Sequence, residues 1–249
     1  MEIQIQTYLL AALILLAAYF IRGISGFGSG LISVPLLAHF LPLTFVVPLI
    51  LITDFAASLI LGIHVRQHAR WDEIRPLLPF GFVGVVAGAT LLVNVPRTPL
   101  LIILGSLVLI FAIRSVFNLQ GSRVIRRLWA APAGLIGGTI SGLFGTGGPP
   151  YVIYLNHRIQ QPAQLRASFT GLFLLEGSWR IITFIFAGLF HDIALITATL
   201  MALPLVALGL WLGNHVHVGL TRAHMQRLIG LLLLVSGGSL IWRAMLGQG

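Results

Sequence analysis

Ten apolar segments run along the chain and constrain its fold more than any other feature. They lie at 7–22, 31–41, 43–63, 76–95, 99–118, 128–144, 149–156, 167–190, 193–213 and 223–246. Six are long enough to cross a bilayer, since a helix rises about 1.5 Å per residue and the hydrocarbon core is roughly 30 Å thick. Lipid offers the backbone no hydrogen-bond partner, so such segments must be helical. The sequence therefore predicts an all-α, polytopic transmembrane helical bundle.

Composition agrees with a membrane setting. Hydrophobic residues make up 57% of the 249 residues and charged residues only 8%, against about one quarter charged in soluble domains. The first apolar run follows "MEIQIQT", which lacks the basic region of a cleavable signal peptide. We expect the N-terminus to be retained.

The net charge of +9 comes from arginine, because the chain has no lysine. Aromatic-interleaved basic patches of a nucleic-acid module are absent from the sequence, so no nucleic-acid partner is expected. Cytoplasmic connections are rich in arginine in membrane proteins, which predicts a multi-pass protein of the bacterial inner membrane with both termini outside. The connections placed inside carry Arg66, Arg70 and Arg75, Arg123, Arg126 and Arg127, Arg158 and Arg166, and Arg222 and Arg227.

Two of the apolar segments are too short to span. Segments 31–41 and 149–156 would reach only about 16 and 12 Å as helices. The segments before them, 7–22 and 128–144, would reach about 24 and 25 Å, which is also short for a perpendicular span. A glycine-rich motif joins each pair, "SGFGSG" at 25–30 and "SGLFGTGG" at 141–148. Each pair is therefore predicted to form a broken helix or a hairpin.

The two halves of the sequence resemble each other with opposite charge. At a constant offset of 125, Pro79, Gly84, Gly88 and Gly105 match Pro204, Gly209, Gly213 and Gly230. The arginine-rich connection at 64–75 corresponds to an arginine-free one near 190, and the arginine-poor turn near 97 to a basic one near 222. Equivalent connections would then face opposite sides. This predicts two inverted repeats, residues 1–120 and 121–249.

The glycine-rich motifs are candidate anion sites. A helix that starts inside the membrane points unpaired N–H groups and the positive end of its dipole at the break, and glycine lets a ligand approach the backbone closely. Serine and threonine hydroxyls add donors without charge. The predicted substrate-binding residues are Ser25, Gly26, Gly28, Ser29, Gly30, Ser141, Gly145, Thr146, Gly147 and Gly148. In contrast, Gly84, Gly88, Gly209 and Gly213 are predicted to allow close helix packing.

Charged residues inside apolar segments should face the protein interior, because a lipid-facing charge is costly. Asp54 and Glu176 lie in equivalent segments and are candidates for proton or cation coupling. Arg180 is one helical turn from Glu176, so the alternative for Glu176 is a structural ion pair with Arg180. Arg180 itself either forms this ion pair or receives the anion. Arg22 either helps to draw an anion to the first break or snorkels to the interface.

The other polar residues predict no cofactor, metal site or catalytic group. The chain has no cysteine, and His215, His217 and His224 are expected in a solvated turn. Asn156, His157 and Arg158 are expected at the interface. No nucleophile with a base and an orienting group is evident, so the protein is not expected to be an enzyme.

The motifs "GISGFGSGLISVPLL" and "GGTISGLFGTGGPPYVIYL", with the two-half layout, resemble the sulfite exporter TauE/SafE family of membrane transporters over nearly the whole chain. Ser29 stands where the family pattern often has glycine, and Pro149 where a third glycine is common. The resemblance implies movement of small anions such as sulfite and organosulfonates across the inner membrane.

The sequence thus predicts a secondary transporter of a small anion, working by alternating access in the lipid bilayer. The alternatives are a membrane-embedded enzyme using Asp54 and Glu176, or an anion channel. The oligomeric state stays open, and a homo-oligomer is among the options.

Overall fold

The computed structural model describes residues 2–62, 68–116, 125–145, 148–215 and 222–246. Within these ranges the chain is helical and contains no strand. The helices are α1 (Glu2–Ser25), α2 (Ser29–Leu37), α3 (Leu43–Gly62), α4 (Trp71–Ile74), α5 (Leu78–Asn94), α6 (Arg97–Val116), α7 (Ala130–Phe144), α8 (Gly148–Arg158), α9 (Pro162–Phe186), α10 (Ile193–His215) and α11 (Arg222–Met245). A short 3-10 turn, Arg127–Trp129, precedes α7. The predicted all-α transmembrane bundle is confirmed.

Five of these helices are long and apolar enough to cross a membrane: α1, α3, α6, α9 and α10. The prediction of a short first segment is wrong, because α1 has 24 residues and reaches about 36 Å. The polar start "EIQIQT" and the end "RGIS" join the apolar run in one helix. The predicted short helix before the second motif is found, since α7 has only 15 residues.

The helices pair across the two halves of the chain. α1 packs on α10 and α7 packs on α5, while α3 packs on α9 and α6 on α11. The first helix of each half therefore contacts the helix before the last of the other half, and the two remaining pairs join equivalent helices. Such reciprocal pairing is what a two-fold relation between the halves produces. The inverted repeat itself stays a prediction.

Glycines set the spacing of the two reciprocal pairs. A Cβ on Gly88 of α5 would meet the backbone of α7 at Thr139 O and Leu143 N. On Gly209 of α10 it would lie 2.9 Å from the carbonyl oxygen of Leu16 in α1, and on Gly213 it would meet Phe20 O. Gly84 contacts α7 in the same way. The predicted packing role of these four glycines is confirmed.

Each glycine-rich motif joins the two helices of one hairpin, α1–α2 or α7–α8. The second helices of the two hairpins, α2 and α8, finish at opposite ends of the bundle. At one end, Arg97 donates to the carbonyl oxygen of Ala38, just after α2, at 3.3 Å. At the other end, Arg158 at the close of α8 donates to Glu73 of α4 at 2.6 Å. α5 begins shortly after α4 and ends shortly before Arg97, so its 17 residues separate the two ends by about 26 Å.

The close contact of α5 and α7 yields a stability prediction. Gly88→Ala places a methyl group against the α7 backbone, which cannot yield as a side chain can, so we expect a loss of about 1–3 kcal/mol. The thermal midpoint of the purified protein in detergent should fall by about 2–12 °C.

Gly238→Ala is the matched control, because a Cβ there meets nothing within 4 Å. It should leave the midpoint unchanged or slightly raised through helix propensity. Equal midpoints for the two variants would contradict the packing role of Gly88.

Candidate functional site

A cavity of about 70 Å³ lies between the two glycine-rich motifs. A site for one water needs about 10–15 Å³, so this cavity has room for several waters or one small anion. Its walls come from both halves of the chain and from α1, α2, α3, α6, α7, α8 and α9. It is lined by Arg22, Phe27, Gly28, Ser29, Gly30, Leu31, Leu51, Asp54, Phe55, Phe111, Ser141, Gly145, Val152, Phe173, Glu176, Gly177 and Arg180.

The first break needs glycine for its backbone conformation. Gly26 has φ of 85° and Gly28 has φ of 97°, a left-handed conformation that other residues adopt at a cost. Gly28 caps α2, and a Cβ there would meet nothing within 4 Å. Ser29 and Gly30 begin α2, whose first N–H groups have no partner within the helix. The cavity therefore borders a helix start at Gly28–Gly30.

Ser25 and Gly26, which were predicted to bind substrate, make structural contacts instead. Ser25 accepts from the N–H of Phe27 and donates to the backbone, with carbonyl oxygens of Ile21 at 2.8 Å and Phe27 at 2.7 Å within reach. Gly26 lies against the side chain of Arg166, where a Cβ would be 2.6 Å from Cγ. Neither residue is part of the cavity lining.

The second break brings fewer predicted residues to the cavity. Gly145 ends α7 with φ of 68°, and its N–H donates to the carbonyl oxygen of Ser141 at 2.8 Å. Both residues line the cavity. Thr146 and Gly147 lie outside the described residues. Gly148 begins α8.

Arg22 forms an ion pair with Asp54 inside the protein. The guanidinium Nη1 contacts Asp54 Oδ1 and donates to Ser29 Oγ at 2.9 Å, and Nη2 donates to Ser58 Oγ at 2.6 Å. The hydroxyls of Ser29 and Tyr19 also donate to Asp54 Oδ1, at 2.6 and 2.7 Å. Arg22 is 2% exposed, so the snorkelling alternative is wrong. The reason is that the first hairpin turns inside the protein and carries Arg22 with it.

Arg180 does not form the expected ion pair with Glu176. Its Nη1 donates instead to the carbonyl oxygen and the hydroxyl of Ser141, at 3.1 and 2.6 Å. Among the described residues, no carboxylate oxygen lies within 4.0 Å of a nitrogen of Arg180. Glu176 accepts from the Tyr151 hydroxyl at 3.3 Å. Both charged side chains are buried and line the cavity.

Both cavity arginines keep an unpartnered donor. The Nε–H groups of Arg22 and Arg180 are buried and have no hydrogen-bond partner in the described part of the chain. A buried donor without a partner costs free energy, and a guanidinium presents its donors in a geometry that suits an oxyanion. The site can therefore bind an anion through two arginines, one from each half.

Aromatic side chains form the apolar walls. Phe27, Phe55, Phe111 and Phe173 line the cavity, and the guanidinium of Arg22 lies 5.9 Å from the centre of the Phe173 ring. Apolar walls lower the local dielectric constant, so each charge in the cavity has a larger effect than it would in water.

The sequence did not predict several residues of this site. Tyr19 and Tyr151 bind the two carboxylates, and Ser58 anchors Arg22. Helical spacing could have indicated two of them, because Tyr19 is three residues before Arg22 and Ser58 is four after Asp54. Tyr151 carried no comparable signal, since its contact depends on how α8 packs on α9.

A second charged cluster lies at the α4 end of the bundle, away from the cavity. Glu73 is 2% exposed and accepts from Arg158 at 2.6 and 3.0 Å, from Tyr154 at 3.1 Å and from Arg127 at 3.3 Å. Burial raises the pKa of Glu73, but the hydrogen bonds and positive charge of Arg158, aided by Tyr154 and Arg127, outweigh burial and hold the pKa below its ordinary value. Arg158, predicted as an interfacial residue, is partly buried and forms an ion pair with the buried Glu73.

Comparison with known proteins identifies the class. An internal polar cavity between broken helices of a membrane-spanning bundle is the architecture of a transporter. The family model described as "Sulfite exporter TauE/SafE" matches residues 10–240. The chain belongs to this family of membrane transporters and is a multi-pass protein of the bacterial inner membrane.

Two relatives are similar over most of their length. The "Probable inner membrane transporter protein TsaS" of Comamonas testosteroni is 29% identical over 203 residues, covering 78% of this chain and 83% of the relative. The "Probable sulfite/organosulfonate exporter TauE" of Cupriavidus necator is 25% identical over 244 residues, covering 93% and 92%. No solved structure matches the chain.

The Glu73 cluster gives a pH prediction. Because its pKa is lower in the folded state, ionised Glu73 stabilises the fold above its unfolded pKa of about 4.3, and this contribution is lost as the pH falls through the folded value. Glu73→Gln should lower the thermal midpoint at pH 7, and the difference from wild type should shrink towards pH 3.

Asp72→Asn is the control, since Asp72 is exposed and its ion pairs are solvated. It should change the midpoint much less at pH 7. A Glu73→Gln difference that stays constant from pH 7 to pH 3 would contradict the role of the ionised carboxylate.

Proposed function

We propose that the protein is a secondary transporter that binds one small oxyanion, such as sulfite, a sulfonate or a related organic acid, in the central cavity and moves it by alternating access. The observation that carries the proposal is the pair of buried arginines with unpartnered Nε–H donors at one cavity. Charge-assisted hydrogen bonds from arginine suit the oxygens of such a substrate.

The start of α2 supports the same ligand. Its first N–H groups border the cavity at Gly28–Gly30, and the helix dipole puts partial positive charge there. Gly28 leaves this side open for a ligand to approach the backbone. The hydroxyl of Ser29 is less available, since it already donates to Asp54.

The relatives point to the substrate class. One is named a sulfite/organosulfonate exporter, and this chain covers nearly all of that relative. Sulfite and the sulfonate group each carry three oxygens around one sulfur, and the cavity of about 70 Å³ suits a ligand of that size.

The arrangement of the two halves supports alternating access. Each half contributes one hairpin and one buried arginine to the cavity, and the hairpins end at opposite ends of the bundle. Movement of one half against the other would open the cavity to each side in turn. The inside-negative potential favours export of an anion, and a proton gradient is the other candidate source of energy.

We propose no catalytic role for Asp54 and Glu176. Asp54 is held by Arg22, Ser29 and Tyr19, which leaves it less available as a catalytic acid or base. Saturable counterflow distinguishes a transporter from both.

Uptake into proteoliposomes tests the function. Labelled sulfite and sulfoacetate should enter vesicles that contain the protein faster than they enter empty vesicles. The uptake should be saturable and should show counterflow. Arg180→Gln should lower kcat/KM about tenfold or more through loss of a charged hydrogen-bond donor. Arg180→Lys should restore it only in part, because lysine lacks the two-pronged geometry of arginine.

Arg75→Gln is the matched control, since Arg75 is exposed and distant from the cavity lining. It should transport like wild type. Absence of anion movement above empty vesicles, or an unimpaired Arg180→Gln variant, would overturn the proposal.

Labelling tests the inverted repeat, and the absence of cysteine makes it direct. His68→Cys and Asp192→Cys place single thiols at exposed positions in equivalent connections. An impermeant maleimide should reach Cys at position 192 from outside and Cys at position 68 only from inside. Labelling of both from one face would contradict the inverted repeat.

A further inference from the structure

The two arginines of the cavity differ in how their charge is compensated. Arg22 contacts a carboxylate directly, and both of its Nη atoms have partners: Asp54, Ser29 and Ser58. Within the described residues, Arg180 donates only through Nη1 and only to Ser141, which is neutral. In the region that the structure describes, Arg180 has no carboxylate within 4.0 Å. The two halves of the cavity are therefore electrostatically unequal.

The two carboxylates of the cavity, Asp54 and Glu176, differ in the same way. Asp54 Oδ1 takes Arg22, Ser29 and Tyr19 as donors. Glu176 is 2% exposed, and its hydrogen bond from Tyr151 is long at 3.3 Å. Burying an ionised carboxylate without a close cation is costly, and proton uptake removes that cost.

We propose that the substrate anion binds to Arg180 and that Glu176 takes up one proton with it, so that anion and proton cross together. This inference rests on the proposed function and assigns its coupling. Without a substrate, the charges of Arg180 and Glu176, one helical turn apart, offset each other through the cavity. An anion on Arg180 removes that compensation and adds a like charge beside Glu176. A proton from the open side then binds Glu176 and leaves to water on the other side.

The surrounding groups agree with this assignment. The charged and titratable groups near Glu176 are Arg180 on its own helix, Tyr151 on α8, and Asp54 and Arg22 across the cavity. α5, which also packs on α9, has no titratable residue. α4 carries Asp72 and Glu73, which are paired with arginines of the second cluster. Glu176 is thus the carboxylate of the cavity that, among the described residues, has no arginine within ion-pair distance.

The proposal limits the charge of the substrate. One uncompensated arginine matches one negative charge, so a monoanion such as a sulfonate or hydrogen sulfite is preferred over a dianion. Transport of a monoanion with one proton moves no net charge, and its rate should be independent of the membrane potential.

The test uses wild-type protein in proteoliposomes that contain a pH-sensitive dye. Methanesulfonate is the probe, because it stays ionised over the whole pH range used and carries no proton of its own. Its addition outside should acidify the lumen with one proton per anion taken up, at the same initial rate with and without an imposed potassium-diffusion potential. Methanesulfonate uptake without proton movement, or uptake that follows the potential, would overturn the proposal.

Variants assign the proton to a residue. Glu176→Gln should still exchange labelled methanesulfonate in counterflow but move no protons, and its KM should lose the wild-type fall of up to about tenfold per pH unit on acidification. Asp54→Asn should retain the pH dependence of KM, whatever its rate. Retained proton movement in Glu176→Gln, or loss of pH dependence in Asp54→Asn alone, would overturn the assignment to Glu176.

The two proposals fail in different ways. If neither sulfite nor methanesulfonate moves above empty vesicles, the proposed function is wrong and the coupling falls with it. If methanesulfonate moves and counterflow is saturable but no proton accompanies it, the function stands and only the coupling is wrong.

Discussion

Burial of arginine at two helix breaks is the constraint around which this molecule is built. Arg22 and Arg180 are almost fully buried, and a charge in hydrocarbon is tolerated only where protein or water surrounds it. The hairpins at the glycine-rich motifs provide part of that surrounding, with a helix start at α2 and the hydroxyls of Ser29 and Ser141. The two carboxylates come from α3 and α9. The remaining helices enclose this polar centre and present apolar side chains such as Phe186 and Leu200 on the outside.

Close helix packing makes the enclosure possible. Glycines on α5 and α10 bring α7 and α1 into backbone contact, which holds the first helix of each half against the other half. Since the hydrophobic effect gives little attraction between helices in lipid, such contacts and interhelical hydrogen bonds provide the association. The Glu73 cluster adds ion pairs and hydrogen bonds at one end of the bundle. At the other end, Arg97 and Arg243 donate hydrogen bonds to backbone carbonyl oxygens just after α2.

The sequence predicted the fold well and the site in part. The helical segments, the short α2, α7 and α8, and the packing glycines follow from apolar length and glycine position, which act locally. The first helix is longer than its apolar run indicated, because polar residues extend it at both ends. Asp54 and Glu176 were predicted to face the interior, and both line the cavity together with Arg180. Their partners were not predicted: Arg22 was left between two alternatives, Arg180 was expected to pair with Glu176, and Ser25 and Gly26 were expected at the ligand. Each of these depends on contacts between distant segments.

The sequence by itself determined that this chain is a membrane-spanning helical protein, because its apolar segments are long and an unsatisfied backbone is costly in lipid. Family membership follows from the same motifs and is supported over residues 10–240. Only the tertiary structure decided which buried charges are neutralised. Helical spacing puts Glu176 one turn from Arg180, but the guanidinium of Arg180 donates instead to Ser141 of another helix, because the tertiary arrangement brings the Ser141 oxygens within its reach.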